Sequence, residues 1–106
     1  MPAKYVRVAK AGDIAPGTVK VVSIRDQEIA VCNVGGKFYA IDNVCTHDGG
    51  ALDQGDLDGA AIECPRHGAR FDVRTGAVLA MPAVAPVATY PVRVQGTEIE
   101  VAVDES

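Results

Sequence analysis

The sequence predicts an all-β protein. Short apolar runs rich in Val and Ile recur along its 106 residues, with Gly, Pro and Asp clusters between them. No segment sustains a helical period, so any helix is expected to be short.

The runs fall in order. Strands are expected over Tyr5 to Ala9, Val19 to Ile24, Glu28 to Val34 and Phe38 to Asp42, each bounded by turn-forming residues. Further strands are expected over Ala60 to Cys64, Ala69 to Val73, Val87 to Val94 and Glu98 to Val103. The last of these alternates polar and apolar residues, as a half-buried strand does. Gly35-Gly36 lies between two runs and predicts a tight hairpin, because glycine tolerates the positive φ such turns need. Gln95-Gly96-Thr97 predicts a second. There is no internal repeat, low-complexity tract or linker, and residues 1–106 are expected to form a single domain.

Composition narrows the function. Apolar residues make up 48% of the chain, enough for a modest core, and formal net charge is –4. An acidic chain without a Lys/Arg-rich run argues against nucleic acid and suits a partner with a basic docking patch. No stretch approaches the roughly 18 apolar residues of a membrane span. The start, Met1-Pro2-Ala3-Lys4-Tyr5-Val6-Arg7, has no apolar signal region, so a cytoplasmic location is expected. Three cysteines in such a chain read as ligands or buried thiols, not a disulfide framework.

Two segments carry the chemistry: Cys45-Thr46-His47-Asp48-Gly49 and Cys64-Pro65-Arg66-His67-Gly68. Each pairs one thiol with one imidazole in a loop that follows a predicted strand, where a rigid scaffold can present the two toward each other. Two Cys and two His suit a Rieske [2Fe–2S] centre, with two thiolates on one iron and two imidazoles on the other. The same donors could hold zinc. Zinc sites commonly group Cys with Cys and His with His, whereas each loop here mixes the two. Gly49 and Gly68 allow the loops to turn tightly and bring backbone N–H groups toward the sulfides, and Pro65 stiffens the second loop.

The Cys-x-His-x-Gly and Cys-Pro-x-His-Gly pair resembles the Rieske ferredoxin family. Gly68-Ala69-Arg70-Phe71-Asp72-Val73-Arg74-Thr75-Gly76 is similar to the continuation in its soluble members. The resemblance extends from Phe38-Tyr39-Ala40-Ile41-Asp42 to the strands over Val87 to Val103. It implies the Rieske fold, antiparallel sheets in a sandwich-like arrangement with a small cluster-binding subdomain made of two loops, about 43–52 and 64–71. It also implies one [2Fe–2S] cluster per chain, with Cys45 and Cys64 on one iron and His47 and His67 on the other. Ala80-Met81-Pro82-Ala83 resembles the proline-containing loop that closes a third side of the cluster.

Departures from the family's high-potential members are informative. Those carry an extra cysteine in each loop, where this chain has Gly50 and Arg66, and Ser and Tyr hydroxyls where it has Ala69 and Phe71. Fewer donors to cluster sulfur stabilise the reduced state less, so a low potential is expected within a range of about –150 to +300 mV. The resemblance implies a one-electron carrier, with no catalytic residues of its own, between an NAD(P)H-dependent flavoprotein reductase and the terminal oxygenase of a ring-hydroxylating dioxygenase system. Docking is expected to be transient, the chain monomeric, and the edges of His47 and His67 the exit for the electron. The alternatives are a small subunit of a reductase such as nitrite reductase, or a zinc-structured binding module.

Other residues have plainer readings. Cys32, within Ile29-Ala30-Val31-Cys32-Asn33-Val34, is expected to be a buried strand residue. A Cys–His catalytic pair lacks an acidic orienter. Asp53, Asp56 and Asp58 are spaced like part of a calcium loop but lack the rest of that pattern, so a solvated loop is expected. Arg66 and Arg70 read as surface charges, Arg66 with a role in partner orientation. Ala51 and Leu52 are expected to cover the site, and Met81 and Pro82 to cap it or fill a turn.

Overall fold

The computed structural model describes residues 3–46, 49–65, 68–81, 83 and 85–104. Among them the strands are β1 (Ala3–Lys10), β2 (Val19–Ile24), β3 (Gln27–Val34), β4 (Lys37–Asp42), β5 (Leu57–Asp58), β6 (Ala61–Glu63), β7 (Arg70–Asp72), β8 (Val78–Ala80), β9 (Thr89–Tyr90), β10 (Val92–Gln95) and β11 (Glu98–Asp104). The only helices among the described residues are 3-10 turns at Ala11–Asp13 and Leu52–Gln54. All ladders are antiparallel, in sheets ordered β1-β11-β10, β2-β3-β4-β9 and β5-β6-β7-β8.

The β2-β3-β4-β9 sheet is the middle layer. Ile29 and Val31 of β3 pack with Ile99, Val101 and Val103 of β11. Ala30 and Cys32, pointing the other way, pack with Cys45, Leu52, Ile62, Cys64, Phe71 and Val73. Cover on both faces explains why Ile29-Ala30-Val31-Cys32 is apolar without alternation. The expected sandwich is therefore present. The subdomain expected as two loops also has a four-stranded sheet of its own, β5 to β8.

Seven of the expected strands match an observed strand to within a few residues. The eighth, Val87 to Val94, divides at Pro91: β9 pairs with β4 in the middle sheet, and β10 pairs with β11 in the other. Proline has no N–H for a ladder, and the chain changes sheets there. Strands β5 and β8 are too short to leave a pattern, and their neighbours impose them. The expected hairpins are present, with Gly35-Gly36 joining β3 to β4 and Gly96-Thr97 joining β10 to β11. A third two-residue turn, Arg25-Asp26, is left-handed at both positions (φ 50° and 67°) without a glycine. Nothing in its composition announces it, and the six-pair β2–β3 ladder forces it.

Candidate metal centre

The first loop leaves β4 and runs to the Leu52–Gln54 turn; the second connects β6 to β7. Cys45 and Cys64 are each 1% exposed and lie in one core cluster with Cys32, Leu52, Ile62, Ala69 and Phe71. His47 and His67 lie outside the described residues, as do Asp48, Arg66 and Pro82.

The backbones of the two loops repeat one hydrogen-bond pattern. Cys45 N–H donates to Gly50 O (2.7 Å), and Gly49 N–H donates to Cys45 O (2.8 Å). Cys64 N–H donates to Ala69 O (2.7 Å), and Gly68 N–H donates to Cys64 O (3.1 Å). Gly49 and Gly68, each four residues after its cysteine, have φ of 78° and 79°. A side chain would be strained at either, so the turn requires glycine there. The amides of these two glycines are thus spent on the loops' own carbonyls.

A third segment approaches the first loop. Thr46 Oγ1 donates to Ala85 O (2.7 Å), and Ala83 is buried in the same core cluster as the two cysteines. Met81 is 80% exposed, so it is a surface residue and not a core one. Leu52 is fully buried in the core cluster that contains Cys45 and Cys64, and Ala51 is half-buried.

Some residues that shape the site had no sequence signal. Asn43, 3% exposed, exchanges hydrogen bonds with Asp53: Asp53 N–H donates to Asn43 Oδ1, and Asn43 Nδ2 donates to Asp53 Oδ1, both at 2.8 Å. Gly55 sits so close to β6 that a Cβ on it would lie 1.6 Å from Glu63 O. Asp58 is paired with Arg70 (Oδ2–Nη2, 3.2 Å), while Glu63 lies 3.5 Å from Arg70 Nε without hydrogen-bond geometry. Asp53 and Asp58 are therefore engaged with Asn43 and Arg70, and Arg70 links three strands. Polar partners are hard to foresee because they depend on which strands become neighbours.

Asp72, at the end of β7, anchors the following turn. Arg74 donates to its carboxylate through Nε and Nη2 (both 3.0 Å) and through its backbone N–H (2.9 Å). The Arg74 side-chain hydrogen bonds hold the Asp72 carboxyl below its ordinary value. A lowered folded-state value means that stability from this group is fully present above the unfolded carboxyl's pKa, about 3.9, and is lost as pH falls through the folded value. Asp72→Asn should accordingly destabilise the protein at pH 7, and its deficit in urea unfolding should shrink as pH drops below about 4. A deficit that stays constant with pH would contradict this role.

Cys32 lies in a strand and in neither of the two loops. It is fully buried on β3, and burial pushes it up to about 12, so it stays protonated at neutral pH. Cys32→Ala should keep full iron content and an unchanged visible spectrum, at a stability cost of about 1 kcal/mol. Iron loss in that variant would instead place Cys32 among the ligands.

The donor chemistry fits an iron–sulfur group. All three cysteines are buried thiols. A thiolate in apolar surroundings is costly unless a metal compensates it, and Cys45 and Cys64 are presented in such surroundings by matched loops. Among the described residues no three His, Cys, Asp or Glu side chains converge.

Comparison with known proteins agrees. The Rieske [2Fe-2S] domain profile matches residues 4–91. The ferredoxin component of the naphthalene 1,2-dioxygenase system of Pseudomonas putida is 38% identical over 99 residues, 93% of this chain and 95% of that protein. The ferredoxin of carbazole 1,9a-dioxygenase from Nocardioides aromaticivorans IC177 superposes with a TM-score of 0.89 at 44% identity, covering 92% of this chain and 96% of that one. A ferredoxin solved in complex with the reduced oxygenase of carbazole 1,9a-dioxygenase gives 0.89 at 39% identity, with 92% of each chain covered. Buried thiols in matched loops, an all-β fold in three sheets and similarity over nearly the whole chain lead to one conclusion: this chain belongs to the Rieske [2Fe–2S] domain family, in the class of small ferredoxins.

Proposed function

We propose that this chain is a one-electron carrier of a ring-hydroxylating dioxygenase system, taking electrons from an NAD(P)H-dependent flavoprotein reductase and delivering them to a terminal oxygenase. The observation that carries this reading is the pair of buried thiols in matched loops, on a chain that aligns nearly end to end with dioxygenase ferredoxin components. When bound, the [2Fe–2S] group would supply the stored electron, with Cys45 and Cys64 the residues that would hold one iron and His47 and His67 the other. Leu52, Ile62 and Phe71 exclude water from the thiolate side.

The chain acts as a monomer in the cytoplasm, and its docking is brief. A shuttle must release each partner quickly, which favours a small interface. The absence of a hydroxyl at Ala69 and Phe71 suits a donor that must reduce a downstream site.

The test is an absorption spectrum of the purified protein, oxidised and dithionite-reduced, with EPR on the reduced sample. A brown protein that bleaches on reduction and gives a Rieske-type signal with low average g supports the reading. Colourless protein holding stoichiometric zinc after anaerobic purification overturns it.

A further inference from the structure

The two cysteine loops share their inner hydrogen bonds but are closed differently at the mouth. Outside its inner bonds, the second loop is continued by main-chain pairing, with Glu63 opposite Arg70 at the start of the β6–β7 ladder. Among the described residues the first loop has no such ladder: its flanks are β4, which ends at Asp42 and pairs with β3 and β9, and the 3-10 turn Leu52–Gln54. The junction is made by side chains instead. Asn43 and Asp53 exchange two 2.8 Å hydrogen bonds there. Asn43 is also held from behind, its N–H donating to Glu28 O (3.0 Å) and its Nδ2 lying 3.4 Å from Glu28 Oε1.

We propose that Asn43 and Asp53 are positioning residues, a side-chain clasp that replaces the missing ladder and keeps the first loop shut about the cluster. The proposal rests on the reading of the loops as the cluster's holders. The buried Asn43 amide gives Asp53 N–H an acceptor and turns the carboxylate inward. It also couples the loop to Glu28, at the exposed start of β3, so the loop opens only when bonds to that strand are broken. Among the described residues the hydrogen bonds of the Asn43 and Asp53 side chains go to each other, to Glu28 and to Gln54 and none to the β6–β7 ladder, so replacing either side chain frees the first loop more than the second.

The matched second loop is an internal control. Hydrogen exchange should be followed by mass spectrometry in peptides covering residues 43–53 and 63–70 of the cluster-loaded protein. Release of iron to a chelator is followed in parallel. Asn43→Ala and Asp53→Ala should each speed exchange in the first loop by roughly tenfold or more, as expected when one or two buried hydrogen bonds are lost. Exchange in the second loop should stay at the wild-type rate, and iron release should accelerate. A swapped pair, Asn43→Asp with Asp53→Asn, tested beside Asn43→Asp alone in a Glu28→Gln background, should restore slow exchange and slow iron release. Glu28→Gln removes the carboxylate that would otherwise repel the new one.

Equal acceleration in both loops would make the effect a general loss of stability and overturn the proposal. So would no change in the first loop, or failure of the swapped pair to recover. If Asn43→Ala does not fold, the Asp53→Ala variant and the swapped pair decide the matter. Wild-type protein without a [2Fe–2S] spectrum would overturn the carrier reading instead, a result that the exchange data cannot mimic.

Discussion

Gly55→Ala is expected to prevent the two loops from assembling. The backbone at Gly55 has an ordinary extended φ of –92°, so conformation is not what demands glycine. Space is: an added Cβ would lie 1.6 Å from Glu63 O, 2.8 Å from Glu63 C and 3.2 Å from Pro65 Cδ. Those atoms are backbone or proline ring at the entrance to the second loop, and they cannot rotate away. Overpacking in a core typically costs about 1–3 kcal/mol and more when backbone must move, so a loss above about 3 kcal/mol is expected. Gly59→Ala is the control: its φ of 59° is strained for alanine, but nothing lies within 4 Å of an added Cβ. That variant should lose only about 1–2 kcal/mol. Urea unfolding and iron per chain measure both. Wild-type stability and iron content in Gly55→Ala would refute the close approach of the two loops.

The second large effect concerns the reduction potential. Ala69 and Phe71 are both fully buried in the core cluster that contains Cys45 and Cys64, and neither has a hydroxyl. The family resemblance implies Ser and Tyr at these positions in high-potential members, donating to cluster sulfur. A hydrogen bond to a charged acceptor is worth about 1.5–3 kcal/mol. If half of that is felt only in the more negative reduced state, each hydroxyl raises the potential by about 30–60 mV. The wild-type midpoint is expected near the bottom of the range of about –150 to +300 mV, with Ala69→Ser, Phe71→Tyr and the double variant stepping upward. Without a sulfur acceptor, the Tyr hydroxyl would be a buried unsatisfied group costing about 1–3 kcal/mol. Phe71→Tyr should therefore destabilise cluster-free protein more than loaded protein. A wild-type midpoint well above zero, or no rise in the double variant, would contradict the assignment. Protein-film voltammetry supplies the number.

Local chemistry made much of this protein legible. The β-branched runs over Val19 to Ile24 and Glu28 to Val34 correspond to β2 and β3 because side-chain shape and burial act within a few residues. The glycine pair at residues 35 and 36 marks its hairpin because left-handed backbone has few other candidates. Cys45 and Cys64 stood out because a thiol and an imidazole in one short glycine-containing loop have few uses other than metal binding.

Other features depend on what the chain meets after it folds. Pro91 looked like part of one strand, yet the chain changes sheets there. Arg25-Asp26 adopts positive φ under the constraint of a ladder. Asn43 and Asp53 are ten positions apart and polar, and nothing in their identity says that they will bond. Gly55 looks like any loop glycine until Glu63 is beside it.

The sequence by itself determined the strand propensities, the turn chemistry and the donor types in the two loops, because these are properties of single residues and their near neighbours. Only the tertiary structure decided the layer order, the clasp at the mouth of the first loop and the steric need for Gly55. Those arise from distances between segments far apart in the chain, set by a core in which β3 is buried on both faces.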